Sequence, residues 1–315
     1  MGLFVLRRVL VTIPMMAVVA LFVFGLLYLA PGDPAAMIAG DQATPAQIEN
    51  IRSSLGLDRP FVVRFVSWII GVLHGDLGNS LFSGQSVASM IVQRIPATLS
   101  VMGLTLIISI SLAVPLGVVA ASRQGSWLDR AVSAFAVLGF SLPVFVLGYI
   151  LAYVFALQLG WFPVQGYAPS SQGFGPYIGH LLLPAVTLSG GYIALITRIS
   201  RSAMLDALSQ DYVRTAKAKG LPRRTVLFVH ALKNAALPIV SIIGIGVAAL
   251  IGGAVVTETV FGIPGLGRLV VDALLRRDYP IIQGVVLVSS FAYIVVNLGV
   301  DILYMLLDPR ISYWR

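Results

Sequence analysis

The sequence predicts an all-α integral membrane protein with six transmembrane helices and a small extracytoplasmic helical insert between spans one and two. Three observations carry this. Only 11% of the residues are charged against 58% hydrophobic, and the mean hydropathy is +0.93; a soluble domain carries about 25% charge. Long uncharged runs recur, and about 20 apolar residues suffice to cross a bilayer as helix. The clustered basic residues fall in loops assigned to one side, as the positive-inside rule requires.

Taken in order, Arg7 and Arg8 precede an uncharged run of 24 residues, Val9 to Gly32. A cleaved signal has an apolar core of only about 7–15 residues, and no convincing cleavage site follows Tyr28. Residues 1–32 therefore read as a cytoplasmic N-terminus and a retained first span. Residues 33–94 hold four basic and five acidic side chains, a balance that suits the outer side. Within them Thr44-Pro45-Ala46-Gln47 has the form of a capping box with proline at the first helical position. Ile48, Ile51 and Leu55 give that helix one apolar face, and Gly56 can end it. Phe61 to Leu73 looks like a second amphipathic helix, with Arg64 among its few polar groups, broken by Gly75-Asp76-Leu77-Gly78. The insert reads as a folded cap.

Residues 95–308 form the transmembrane core and 309–315 a cytoplasmic C-terminus. Ile95 to Ser122 is span two, ending at Arg123 and Arg130 on the inner side. Ala131 to Thr197 contains no charged residue over 67 positions, about 100 Å of helix and too long for one crossing. The turn-rich piece Gly160 to His180 splits it into spans three and four, and Trp161, Phe162, Tyr167 and Tyr177 suit an outer interfacial belt. Leu237 to Thr257 is span five, Val260 to Tyr279 an outer loop, and Pro280 to Leu307 span six, ended inside by Asp308-Pro309-Arg310. Pro115, Pro143 and Pro184 mark kinks in their spans.

Between spans four and five lies Ser209 to Pro238, a basic stretch that lipid cannot hold. Arg214, Lys217, Lys219, Arg223, Arg224 and Lys233 would each cost about 2.5–3.5 kcal/mol at a bilayer centre. Ser209 or Asp211 can cap a helix running from Tyr212 to Lys219; Gly220 suits a left-handed end, and Pro222 the first turn of the next helix. The result is a helix, a sharp corner and a second helix. Two uses fit. A basic loop can sit on anionic lipid heads at about 1 kcal/mol per charge, or the small residues Ala216, Ala218 and Gly220 can let a partner protein come close.

Composition also excludes. The net charge of +8 comes mostly from Arg198 to Lys233, with eight basic and two acidic residues, so it signals topology and not nucleic-acid binding. There is no cysteine, hence no disulfide or thiolate chemistry. There is no G-x-x-x-x-G-K-[ST] phosphate loop and no H-E-x-x-H, and His74, His180 and His230 are far apart. Asp301 is the only clear carboxylate inside a span, which leaves an aspartyl protease without its pair. It suits a structural partner or a functional site. Glu258, at the outer end of span five, suits a solvated surface or an outer mouth that attracts cations. Gly244, Ala248 and Gly252, with Gly246 and Gly253 beside them, form a small-residue stripe. It suits packing inside one subunit, or contact with a partner span or a transport path.

Arg214-Thr215-Ala216 followed by Gly220 resembles the EAA loop of bacterial ATP-binding-cassette importer permeases, closest to the oligopeptide/dipeptide/nickel (OppB/DppB-type) branch. Arg214 and Thr215 stand where the general motif has Glu and Ala, and Leu237-Pro238 lies farther from the glycine than in sugar importers; both departures are usual for this branch. Further matches run along the chain: Leu29-Ala30-Pro31-Gly32-Asp33-Pro34, Gly75-Asp76-Leu77-Gly78, Glu258-Thr259-Val260-Phe261, Pro264-Gly265-Leu266-Gly267, Asp278-Tyr279-Pro280, and Asn297 through Asp301 and Tyr304 to Asp308-Pro309-Arg310. The resemblance implies a type I ABC importer permease that imports di- or oligopeptides, with nickel chelates, glutathione or haem as alternatives. Its partners would be a second homologous permease, two cytoplasmic ATPases and an extracytoplasmic binding protein, all at the bacterial plasma membrane. This chain would bind no cofactor, ATP and Mg residing on the ATPases. A coupling loop at about 205–236 would dock them through Asp211, Tyr212, Arg214, Thr215, Ala216, Lys217, Ala218, Lys219 and Gly220. Glu258, Phe261, Pro264 and Gly265 would stand at the outer mouth, and the insert from Asp33 to Arg94 and the loop from Phe261 to Asp278 would face the binding protein. An ATP-independent channel or carrier and a scaffold are the competing classes; a carrier would want more intramembrane ionisable groups than Asp301.

Overall fold

Lipid supplies no hydrogen-bond partner, so a chain this apolar must satisfy its backbone within each segment, and the helix does so. The computed structural model describes residues 2–29, 34–39, 43–54 and 56–307. Among them all regular structure is helical, apart from one isolated antiparallel bridge between Asn79 and Ser86. The α-helices are α1 (Gly2–Leu29), α2 (Pro34–Ala39), α3 (Pro45–Ser54), α4 (Phe61–Leu73), α5 (Val87–Ser122), α6 (Trp127–Ser141) and α7 (Val144–Leu151). After them come α8 (Phe174–Ser209), α9 (Asp211–Ala218), α10 (Arg223–Thr225), α11 (Leu232–Val260), α12 (Leu266–Arg276) and α13 (Tyr279–Leu307).

Four helices among the described residues are long and apolar enough to cross a membrane: Val87–Ser122, Phe174–Ser209, Arg223–Val260 and Tyr279–Leu303. A fifth crossing results if α6 and α7 count as one broken span. Helix α1 contributes a shorter apolar stretch, Leu10–Gly25. The kink expected at Pro143 is a full break of 101°. Its cause is local: proline drives the residue before it out of the helical region, and Leu142 has ψ 123°. Pro184 lies inside α8 without ending it. Helix α5 starts before the uncharged run, at Val87, because nothing from Val87 to Arg94 breaks a helix. Span five likewise is continuous from Arg223 through a π-helical stretch, Val226–Ala231, into α11. The second helix expected after the corner is thus the first turns of this long apolar helix.

Two compact units divide the chain: Met1–Pro96 with Arg268–Ile294, and Ala97–Gly267 with Val295–Arg315. In the first, the capping box forms as expected, Gln47 N–H donating to Thr44 Oγ1 and Thr44 N–H to Gln47 Oε1. The Gly75–Gly78 turn leads into the Asn79–Ser86 bridge, and Asp278 closes it. The Asp278 carboxylate accepts from Ser80 O–H at 2.5 Å and Leu81 N–H at 3.2 Å, while its carbonyl accepts the first α13 hydrogen bond, from Ile282 N–H. Asp-Tyr-Pro is therefore a helix start whose side chain pins a turn nearly 200 positions away. In the second unit, Val101, Leu181, Leu188, Leu250, Phe261 and Ile263 form the heart of the main core cluster.

Asp278 is buried, so its removal leaves the Ser80 hydroxyl and Leu81 N–H without an acceptor. Asp278→Ala should lower the stability of the purified chain by about 1.5–3 kcal/mol, read as a fall in thermal midpoint, with Asp278→Asn losing less. An unchanged midpoint for the alanine variant would contradict this role.

Candidate functional site

The corner between α8 and α11 is closed by backbone geometry. Gln210 is extended at ψ 152° and separates α8 from α9. Neither residue expected to cap α9 does so: Ser209 O–H donates back to the Asp206 carbonyl, and Asp211 is already the first helical residue, its carboxylate 3.2 Å from Arg214. At the far end Gly220 has φ +75°. Gly220 N–H donates to Lys217 C=O and Leu221 N–H to Ala216 C=O, the paired bonds of a Schellman closure. Any other L-residue would hold that left-handed conformation at a cost of about 1–2 kcal/mol. Pro222 stands one residue before α10, as its N-cap.

Packing decides which side of this elbow is available. Val213, Ala216 and Val226 are buried together, with Leu208 against them. Ala216 therefore differs from its expected role at a docking face: its small side chain lets α9 sit close on its own chain. Asp211, Tyr212, Arg214, Thr215, Lys217, Ala218, Lys219 and Gly220 are exposed. The Arg214–Asp211 pair is 77% and 93% exposed and contributes little to stability. The Arg223 guanidinium donates to the Ser122 carbonyl at the end of α5, a favourable place for a cation.

A second tether lies beside it and escaped the sequence reading. Arg201 on α8 grips Asp129 in a fork, Nε to Oδ1 at 2.5 Å and Nη2 to Oδ2 at 2.8 Å. Asp129 also accepts from Gly125 N–H at 3.0 Å, and Ser126 caps α6 by accepting from Asp129 N–H. The pattern Ser126-x-x-Asp129 was a readable helix start; its partner Arg201, 72 positions on, was not.

Most of the glycine stripe packs inward. Gly244, Gly246 and Ala248 are buried. A Cβ on Gly244 would lie 2.5 Å from Val300, one on Gly246 3.2 Å from Tyr192, and one on Gly253 3.0 Å from Leu188. Gly252 alone of the five is exposed, with nothing near it. Asp301 is half-buried on α13.

Glu258 is the larger correction. It is fully buried, not solvated at a mouth. Thr98 O–H donates to Glu258 Oε1 at 2.6 Å, and Thr98 Oγ1 accepts from Leu266 N–H at 2.9 Å, the first residue of α12. Ile263 N–H returns to the Glu258 carbonyl around the end of α11, and Phe261 and Ile263 are buried beside it. A Cβ on Gly265 would fall 2.1 Å from Glu258 Oε1, so any larger residue there forces the buried carboxylate to move. Pro264 stays exposed. Among the described residues no group of three or more His, Cys, Asp or Glu side chains comes together to hold a metal. Ala30 to Asp33 and Asp308-Pro309-Arg310 lie outside the described residues, as does the side chain of Tyr304.

Comparison with known proteins gives this arrangement a context. Residues 113–313 match the family described as binding-protein-dependent transport system inner membrane component, and residues 1–102 match the N-terminal module of the same membrane component. The chain belongs to this family. It is thus a membrane component of a transport system and not an enzyme. A probable peptide ABC transporter permease protein, y4tP of Sinorhizobium fredii, is 54% identical over 99% of this chain and 100% of its own length. A putative peptide transport system permease protein of Brucella abortus is 43% identical, covering 98% of each chain. The glutathione transport system permease protein GsiC of Salmonella choleraesuis is 41% identical over 98% of this chain and 99% of its own. Among solved structures, the inward-facing MetNI methionine ABC transporter shares the fold at 18% identity and a TM-score of 0.59, covering 70% of this chain and 96% of that one.

In this transport component the Glu258 cradle makes a sharp prediction. Gly265→Ala should destabilise the chain by about 1–3 kcal/mol through overpacking, measured by thermal denaturation. Removing the carboxylate as well, in Gly265→Ala/Glu258→Ala, should recover part of that loss. Additive losses in the double variant would contradict the contact.

Proposed function

We propose that this chain is the permease subunit of an ATP-driven importer of di- or oligopeptides, forming half of the translocation path. The single observation behind the reading is the elbow itself. It is a locked corner, buried on one side by Val213 and Ala216, with Tyr212, Arg214, Thr215, Lys217, Ala218 and Lys219 turned outward. The chain carries no phosphate-binding loop, so work done by nucleotide must enter from another protein, and this corner is shaped to receive it. Two cytoplasmic ATPases would hold ATP and Mg and seat the elbow of this subunit and that of a second, homologous permease. An extracytoplasmic binding protein would deliver the substrate.

In this reading six spans cross the membrane, α1 being the first and α6 with α7 the third, and both termini lie in the cytoplasm. The residues between α1 and α5 stand on the opposite side. Closure of the ATPases would push α9, and the Arg223–Ser122 and Arg201–Asp129 tethers would carry that push to α5, α6 and α8. Peptide as substrate is supported by the two peptide permeases at 54% and 43% identity. Glutathione is the second reading, from the permease at 41%.

Ala218 is exposed and helical, so a large side chain there disturbs nothing within the chain. Ala218→Trp should leave the amount of membrane-inserted protein unchanged while cutting ATP-driven uptake at least tenfold in vesicles containing the full transporter. Normal uptake would refute the docking face. In the same vesicles, excess unlabelled di- and tripeptides should compete with labelled peptide while free glutathione does not. The reverse order would move the substrate to glutathione.

A further inference from the structure

The sequence predicts α4 as an amphipathic helix with few polar groups, part of a folded cap. It has instead two apolar sides. On one, Phe61, Phe65 and Trp68 gather round Phe24 of α1, each ring centroid 5.4 Å from that of Phe24, with the Arg64 guanidinium 5.9 Å from the same ring. On the other, Val62, Val63, Val66, Ile70 and Leu73 are exposed, between 46% and 78% of their surface. At the helical 3.6 residues per turn these five share one face about 100° wide. The polar side chains Ser67 and His74 stand only at its edge. No residue of α4 is fully buried. A helix lying in water presents the opposite pattern.

The depth of Phe24 points to the occupant. It lies 16 residues beyond Arg8, about 24 Å along a helix of 1.5 Å rise, and a hydrocarbon core is about 30 Å thick. With Arg8 at the inner boundary of a first span, Phe24 would still lie inside the bilayer, short of its outer boundary, and a helix stacked on it would be held at the same level. The outward face of α1 is apolar in the same way, at Val18, Leu21 and Phe22. The exposed face of α4 continues that surface.

We propose that α4 is a membrane-immersed interfacial helix, its Val62–Leu73 face packed against acyl chains of the outer leaflet, anchoring the insert to the bilayer. This rests on the reading that α1 is the first span. Arg64 and His74 then serve as the polar groups that reach the headgroups, as on other helices lying in an interface.

Because the chain has no cysteine, single cysteines can be placed at Val18, Glu49, Val66 and Ile70 and spin-labelled. The assembled transporter is then placed in phosphatidylcholine–phosphatidylglycerol nanodiscs. Collisions with oxygen, which concentrates in lipid, and with a water-soluble nickel chelate report the surroundings. Val66 and Ile70 should favour oxygen at least threefold over the chelate, as Val18 does, with the order reversed at Glu49 on α3. Chelate-accessible labels at Val66 and Ile70 would place α4 in water, and labels shielded from both reagents would place it under another protein. Either result, with Val18 still in lipid, overturns this inference alone. A chelate-accessible Val18 would remove the first span beneath it, and this inference with that span.

Discussion

A backbone amide in hydrocarbon has only the chain itself to bond with, and that constraint shapes the molecule from end to end. Among the described residues it leaves the helix as the sole element of any length and gathers most turns at the corners between helices. The corners then carry what the helices cannot: charge, recognition and change of direction. Several are closed by backbone bonds of one type, as at Gly220 and around Gly262, where the last turn is satisfied without any side chain. Side chains at the corners are thereby freed for other uses, and on α9 they face outward.

Three buried carboxylates obey the same constraint. Asp278, Glu258 and Asp129 are all buried, and each receives hydrogen bonds across the chain: from Ser80 and Leu81, from Thr98, and from Arg201 with Gly125. Of the residues that carry the family resemblance, Glu258 and Asp278 are two of these carboxylates, and Gly265 and Gly267 leave room for the first. Glu258-Thr-Val-Phe with Pro-Gly-Leu-Gly is a carboxylate in a close-fitting wrap, and Asp-Tyr-Pro with Gly-Asp-Leu-Gly is a pinned helix start. Within this chain both are devices of construction.

Sequence was most legible where the cause is local. Uncharged length marked the long helices, the Thr44–Gln47 box formed as written, and Gly220 ended α9 because its conformation asks for glycine. Side-chain roles fixed by distant partners were not legible. Nothing near Ala216 shows that Val226 covers it, and nothing near Glu258 shows Thr98 above it, 160 positions away. The fork between Asp129 and Arg201 was hidden for the same reason. At Pro143 the local signal was seen but its size was not, since a proline restricts the conformation of its neighbour without fixing one value of ψ.

The proposed coupling depends on the outward face of the α9 elbow being the place where a separate ATPase takes hold. The direct measurement is a crosslink from a cysteine at Ala218, unique in a chain that otherwise has none, to single cysteines along the groove of the partner ATPase in native membranes. A covalent adduct whose yield changes with ATP is the expected result. No adduct at any groove position, together with labelling of the same cysteine by an impermeant reagent from outside the cell, would contradict it.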